Sequence, residues 1–400
     1  PVRAEDVPGE IRRAYHTAMQ HPRGPVFVSV PMDDWEAEAE AMDPHDVIHR
    51  TSPDPDGIER FAAVLRESRN PAVVTGAGVD RAGAFYDAVA LAEKLAAPVW
   101  QDPISALASF PQDHPLFQGH LPPSQKQLAE TLSGHDVVLV LGAPVFLYYP
   151  YVPGPTVAEG TRVLHVSEDP AEAARAAVGS SLVGDVGLAI RGLLEALPAS
   201  ERPAPPRLEP PPEPEARTPM SVEYVMHTVA GVLPEEAAVF DETASSKAKL
   251  HRYIRVNRPG GYHTSAAGGL GFCMPGSVGF KLAVPERPVV CMIGDGSSMY
   301  SVQALWSAAR YGASVAFIVV NNRGYSILKG FRDAIGAGDR VPGLDVPGID
   351  FVGVARGLGV EGETIQEAGD LLPAVKRALN AGRPYLLDVI VDPEVPKLLS

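Results

Sequence analysis

The chain has 400 residues, 45% of them hydrophobic and 21% charged, with a formal net charge of −15 at pH 7. That length exceeds one ordinary hydrophobic core and points to two or three domains. The negative balance excludes nucleic acid and anionic membrane surfaces as partners, because both need a basic face.

Residues 1–48 carry a helical pattern, Pro8 to Gln20, followed by an apolar run, Pro25-Val-Phe-Val-Ser-Val-Pro31, that predicts a strand. One helix and one strand cannot form an α/β layer, so this segment is expected to be the last unit of a third α/β domain that starts outside the sequence. Residues 49–197 alternate buried-strand runs with helical periodicity. Ala72–Thr75, Val137–Leu141 and Val163–Val166 read as strands, and Phe85–Leu95 and Ser124–Leu132 as helices. This alternation predicts a Rossmann-like middle domain with a parallel sheet covered on both faces. Gly76-Ala-Gly78 follows the first strand, but the third glycine falls at Gly83 rather than position 81. A plain strand-to-helix turn is the simpler expectation, and a nicotinamide dehydrogenase a distant one.

Residues 198–218 are rich in proline, as in Pro203-Ala-Pro-Pro206 and Pro210-Pro-Pro-Glu-Pro214, and predict an extended linker. A second alternation fills 219–400 and predicts a doubly wound α/β domain. Its clearest strands are Val289–Ile293, Val315–Val320 and Tyr385–Val391, and its clearest helices Ser301–Arg310 and Ile365–Leu379. Cys273 and Cys291 sit in apolar sequence and read as buried thiols rather than a disulfide. No stretch is apolar and long enough for a membrane span, and no signal peptide pattern opens the chain, so a cytoplasmic protein is expected.

The chemistry concentrates at the ends of two of these strands. Gly294-Asp295-Gly296-Ser297 follows one, and Asn321-Asn322-Arg323-Gly324-Tyr325 follows the next. Strand ends on that edge of an open parallel sheet are where ligands bind. The carboxylate of Asp295, the amide oxygen of Asn322 and the carbonyl of Gly324 are hard oxygen donors, the kind that magnesium takes when it also binds phosphate. Gly294 and Gly296 let backbone approach a diphosphate, and Ser297 opens a helix with its donors outward. A metal would also neutralise a diphosphate that this acidic chain cannot attract at long range.

Gly-Asp-Gly followed some two dozen residues later by Asn-Asn resembles the signature of thiamine diphosphate-dependent enzymes. The order of parts is similar too: the end of one domain, a Rossmann-like middle domain, a linker and a diphosphate-binding domain. Within that family the chain is most similar to the benzoylformate decarboxylase branch, through Gly142-Ala-Pro-Val-Phe146, Ala266-Ala-Gly-Gly-Leu-Gly-Phe272, Tyr300–Trp306 and Val341–Phe351. The resemblance implies thiamine diphosphate and Mg2+ as cofactors and a small 2-oxo acid as substrate, decarboxylated to an aldehyde. It also implies a homo-dimer or homo-tetramer in the intact protein. Asp295, Asn322 and the Gly324 carbonyl would hold magnesium, with Ser245, Ser297 and Tyr325 near the diphosphate. Leu270 would prop the cofactor in a bent shape, and the Gly268 carbonyl would accept a hydrogen bond from its aminopyrimidine.

The sequence departs from that branch in three ways. The glutamate that contacts the pyrimidine belongs to the N-terminal pyrimidine-binding domain, most of which lies outside this sequence, so this chain alone is expected to hold cofactor weakly and not to turn over. Tyr149, within Leu147-Tyr-Tyr-Pro-Tyr151, stands where a histidine is expected, and Thr264 where an aromatic residue is expected. His263 beside Thr264 is a candidate replacement imidazole. Ser245-Ser246 could equally be a helix N-cap. Two further readings remain at this point: an acetolactate synthase-like carboligase, and a non-catalytic protein that keeps a cofactor-binding half.

Overall fold

The computed structural model describes residues 1–43, 45–149, 152–338 and 341–397. Among them, twelve strands form two six-stranded sheets. The first comprises β1 (Pro71–Thr75), β2 (Val99–Gln101), β3 (Phe117–His120), β4 (Val137–Leu141), β5 (Arg162–Ser167) and β6 (Ser180–Val183). The second comprises β7 (Ala238–Glu242), β8 (Tyr262–His263), β9 (Val289–Gly294), β10 (Val315–Asn321), β11 (Glu361–Ile365) and β12 (Tyr385–Ile390). Every pairing between these strands is parallel.

The central strands β1, β4, β7 and β10 are buried along their whole length. Helices on both faces remove both sides of each strand from water, so the apolar runs of β1, β4 and β10 specify them directly, whereas β7 ends in two buried acids. Strand order in the first sheet is β3-β2-β1-β4-β5-β6 and in the second β11-β12-β10-β9-β7-β8. In the second sheet the chain passes from β7 to the edge strand β8 and then returns to β9 on the other side of β7. The loops after β7 and β9 therefore diverge, which opens a crevice at their carboxyl ends.

Three expectations are corrected. Residues 25–31 form no strand: no described strand pairs with them, Phe27 is 92% exposed, and an extended segment without a ladder partner leaves its backbone groups to water. The preceding helix does form, as Val7–Met19. Ile365 ends β11, paired with Val389, and the helix starts only at Ala368. The helix placed at Ser301 begins at Ala304, because a separate short helix, Asp295–Ser298, and a turn come first. Cys273 and Cys291 are free and buried, as expected. No helix of the described residues is long and apolar enough to cross a membrane.

The apolar core of the second sheet reaches the first unit: Phe85 and Ala108 pack into the cluster that holds Val225, Tyr262 and Val290. Residues 198–218 carry no regular element, yet they are fastened to both. Arg202 donates to the Ser68 and Leu95 carbonyls, and Tyr253 Oη donates to the Pro212 carbonyl. Across the same interface His120 of β3 stacks on His251 of the helix Lys247–Tyr253, with ring centroids 3.8 Å apart and planes at 19°.

Burial, reinforced by Lys247 and Arg255, pushes His251 down to about 3. Burial, His251, Arg255 and Lys247 push His120 well below its ordinary value of 6.5, against a weaker opposing pull from Asp241. Both rings are neutral at pH 7, so the unfolded chain takes up their protons more readily than the folded one. Their contribution to stability is complete above about pH 6.5 and is lost as pH falls below it. At pH 4.5 the loss through His251 alone is about 2–3 kcal/mol. Thermal unfolding at pH 7.5 and 4.5 should show a smaller acid-induced drop for His251→Phe than for the parent; equal drops would remove the pair as the cause.

Candidate functional site

The crevice of the second sheet is floored by the carboxyl ends of β7, β9 and β10, which pair in register from Glu242↔Ile293 to Gly294↔Val320. Asp295 follows β9 and is 3% exposed. Its Oδ1 accepts from Gly296 N–H at 2.8 Å and its Oδ2 from Gly324 N–H at 3.0 Å. Asn322, after β10, accepts from the same Gly324 N–H through Oδ1 at 3.1 Å, while its Nδ2 donates to Ser326 Oγ at 3.0 Å. Two side-chain oxygens from different strand ends thus meet at one backbone N–H.

The turn that achieves this is built by Asn321. Its Nδ2 donates to Asp388 Oδ1 at 2.8 Å and its Oδ1 accepts from Arg323 N–H at 3.1 Å. Arg323 takes a left-handed conformation, φ +59°, and the reversal aims Asn322 and Gly324 back at Asp295. Burial raises Asp295 to about 6, with the charge of Asp388 adding to the rise, against backbone hydrogen bonds from Gly296, Gly324 and Arg323 that lower it. A buried carboxylate held by backbone N–H groups beside an amide oxygen fits a divalent cation, which would supply the missing positive charge.

The remaining predicted residues divide into two groups. Ser245 does not cap the helix that follows it. Its Oγ instead accepts from Ile327 N–H at 2.9 Å, at the start of the helix Ser326–Ala334, so Ser245 lies beside the Asn322 turn. Ser297 is buried in the helix Asp295–Ser298. The Tyr325 ring packs on Gly296, where an added Cβ would lie 2.3 Å from its Cε1. Gly294 is less confined, with nothing nearer than 3.6 Å to such a Cβ. Gly268, φ +70°, and Leu270, 37% exposed, lie in a loop that ends at the helix Cys273–Ala283. Tyr149 reaches the helix Ser326–Ala334 from the first unit, its ring edge-on to Phe331 at 5.1 Å. Its neighbours Pro150 and Tyr151 lie outside the described residues.

His263 stands apart from this group. Its ring stacks on Phe240 at 4.6 Å and lies 5.1 Å from Phe280, and its Nε2 pairs with the Gly260 carbonyl at 3.0 Å. Thr264 is buried, accepting from Lys247 Nζ at 3.2 Å and donating to the Asp241 carbonyl at 2.7 Å. Glu242, not singled out from sequence, ends β7 and binds the loop that carries Leu270.

The other glycine turn is packed shut. A Cβ on Gly78 would lie 2.7 Å from the Gly142 Cα, and one on Gly76 would lie 2.5 Å from the Ala143 Cβ. Gly76-Ala-Gly78 therefore accommodates the chain leaving β4, which supports the plain-turn reading over the dinucleotide one.

Residues 58–193 match "Thiamine pyrophosphate enzyme, central domain", and residues 242–389 match "Thiamine pyrophosphate enzyme, C-terminal TPP binding domain". Benzoylformate decarboxylase of Pseudomonas aeruginosa is 41% identical over 394 residues, 97% of this chain and 74% of that protein. The chain belongs to the thiamine diphosphate enzyme family. Among solved structures of the family, benzoylformate decarboxylase from Polynucleobacter necessarius superposes with a TM-score of 0.96 at 37% identity, covering 100% of this chain and 76% of that one. The thiamine diphosphate-dependent 4-hydroxybenzoylformate decarboxylase of Rhodococcus jostii gives a TM-score of 0.93 at 40% identity, covering 99% and 76%. The Asp295–Asn322–Gly324 junction falls inside the part matched to the family's cofactor-binding domain.

Proposed function

We propose that the chain carries the metal and diphosphate half of the site of a thiamine diphosphate-dependent 2-oxo acid decarboxylase, with benzoylformate or a ring-substituted relative as substrate. The observation that carries this reading is the meeting of the Asp295 and Asn322 oxygens at Gly324 N–H. It lies in a chain similar along its length to decarboxylases named for benzoylformate and 4-hydroxybenzoylformate.

In this reading Asp295, Asn322 and the Gly324 carbonyl hold Mg2+, with positions left for phosphate oxygens and water. Ser245, Ser297 and Tyr325 surround the diphosphate. The Gly268 carbonyl accepts from the aminopyrimidine, and Leu270 supports the bent cofactor. Thiamine diphosphate, when bound, supplies the nucleophilic carbon and the electron sink for loss of carbon dioxide. The protein's own residues supply position, exclusion of water and proton movement. Tyr149 and Phe331 wall the place of the substrate ring, and the Tyr149 hydroxyl would donate to a substrate oxygen. The exposed apolar side chains Leu270, Phe272, Met299 and Tyr300 support assembly into a homo-dimer or homo-tetramer.

The test is a decarboxylase assay of the protein in its full natural length, with thiamine diphosphate and Mg2+, comparing benzoylformate with pyruvate. Burying a phenyl ring contributes about 2–3 kcal/mol, so kcat/KM should favour benzoylformate by at least about 30-fold. Equal turnover of the two, or of neither, would refute the aryl substrate class.

A further inference from the structure

Glu242 is a buried carboxylate, 6% exposed, at the carboxyl end of β7. Its two oxygens are used separately. Oε1 accepts from Gly271 N–H at 2.7 Å and Oε2 from Cys273 N–H at 2.8 Å. Cys273 is the first residue of the helix Cys273–Ala283, so that bond serves an orphan donor of the first turn. Gly271 lies two residues earlier, outside the helix and directly after Leu270. Its φ is +96°, and a Cβ there would lie 3.2 Å from the Tyr300 Cβ.

A helix cap alone needs only the Cys273 bond. The second bond reaches out of the helix to hold the loop, whose backbone reverses at Gly268, φ +70°, and again at Gly271. Loops with two left-handed glycines have many alternative conformations, and one fixed geometry needs an external anchor. The anchor also joins this loop to the metal end of the site. Glu242 pairs with Ile293, and its carbonyl lies 3.9 Å from where a Cβ on Gly294 would sit, one residue before Asp295.

We infer that Glu242 is a positioning residue: its carboxylate clamps the Gly268–Gly271 loop so that the Gly268 carbonyl and Leu270 are preset for the cofactor before it binds. This rests on the reading of that loop as a cofactor wall. Glu242→Gln keeps the size but leaves one acceptor oxygen and turns an NH2 group toward the other N–H, so one of the two bonds is replaced by opposed donors. Glu242→Asp keeps the charge and both acceptors but is one methylene shorter, and it should restore part of the effect.

The experiment uses the protein in its full natural length with hydrogen–deuterium exchange and calorimetry, and thiamine diphosphate plus Mg2+ as the probe. Without ligand, Glu242→Gln should speed exchange of a peptide covering residues 266–274 and leave the body of the helix protected. It should weaken thiamine diphosphate binding by about ten-fold, with partial recovery in Glu242→Asp. Ser221→Ala, which removes a cap from the helix Val222–Ala230, should lower stability without changing either readout. Unchanged exchange at 266–274 in Glu242→Gln would overturn the clamp. So would unchanged affinity, provided that ligand slows exchange of that peptide in the parent. If ligand does not slow it in the parent, the cofactor-wall reading fails instead, and the exchange result still decides the clamp.

Discussion

Asp295→Asn is expected to weaken Mg2+-dependent thiamine diphosphate binding by about 100-fold while making the metal-free protein more stable. The first effect follows from the donor set. Asparagine matches the shape of aspartate, but it brings no charge and one oxygen fewer to a hard divalent cation. Loss of about 2.7 kcal/mol of ligand binding is a 100-fold change in dissociation constant. The second effect has the opposite sign because the metal-free site is unfavourable for a carboxylate. Burial raises Asp295 to about 6, above its ordinary 3.8. A proton is therefore held more tightly in the folded chain than in the unfolded one. The stability this confers is complete below about pH 4 and is gone once pH rises through about 6. Above that, the ionised group opposes folding by about 3 kcal/mol, and asparagine removes this penalty. It also turns its NH2 toward Gly324 N–H, which keeps Asn322 Oδ1 as its acceptor, at a cost of about 1 kcal/mol, so the net gain is about 2 kcal/mol.

Calorimetric titration with thiamine diphosphate and Mg2+, together with unfolding at pH 8 without metal, checks both halves. A variant that loses affinity and stability together would mean that Asp295 is held by contacts that asparagine cannot reproduce, and the metal assignment would lose its main support. Opposite movement is the mark of a residue kept for a ligand at the expense of the fold.

That same strand end shows why part of this site was legible in the sequence. Asp295 and Asn322 each follow a run of five or more apolar residues, and a run buried on both faces can only be an inner strand. Their position at a ligand-binding edge followed from the strand, and the oxygen chemistry from the side chains. Glu242 was not legible, because β7 reads Ala-Val-Phe-Asp-Glu and spends two of its five positions on acids. Asp241 and Glu242 are both buried there, paid for by Tyr262, Thr243, Gly271 and Cys273, and none of those partners is adjacent in sequence except Thr243.

Short strands were missed for a related reason. β2, β3 and β8 have three, four and two residues, too few for a period to emerge. The converse error occurred at 25–31, where a strand-like pattern has no described partner, since β-pairing is a property of two segments and the pattern belongs to one. His263 illustrates a limit of adjacency. It neighbours Thr264 in sequence, but its ring goes to Phe240 and Phe280 while Thr264, just past the end of β8, bonds Lys247 and the Asp241 carbonyl. Tyr149 was located by likeness of its surrounding residues, and its contact with Phe331 is a tertiary feature that spacing could not supply.

The segment that delivers Tyr149 depends on one close approach, and breaking it should have a large effect. Gly142 directly follows β4 with φ +59° and faces Gly78 so tightly that an added Cβ would lie 2.7 Å from the Gly78 Cα and 2.8 Å from the Val79 nitrogen. Those are backbone atoms, fixed by the Gly78 N–H bond to the Gly142 carbonyl at 2.9 Å and by the Val79 N–H bond to the Gly76 carbonyl at 3.0 Å. No flexible side chain can swing aside. Gly142→Ala therefore carries the left-handed backbone cost of about 1 kcal/mol and an overpacking cost of about 2 kcal/mol. At a total of about 3 kcal/mol, the melting temperature should fall by roughly 6–12 °C. Relief of the clash must move β1 and β4 apart at their carboxyl ends, and the chain from Ala143 to Tyr149 leaves from there. The Tyr149–Phe331 contact should loosen with it, so the full-length variant should lose turnover of benzoylformate even at temperatures where it remains folded. A melting temperature within 2 °C of the parent would show that the turns slide without cost. Normal turnover alongside a lowered melting temperature would separate the fold of the first unit from the placement of Tyr149.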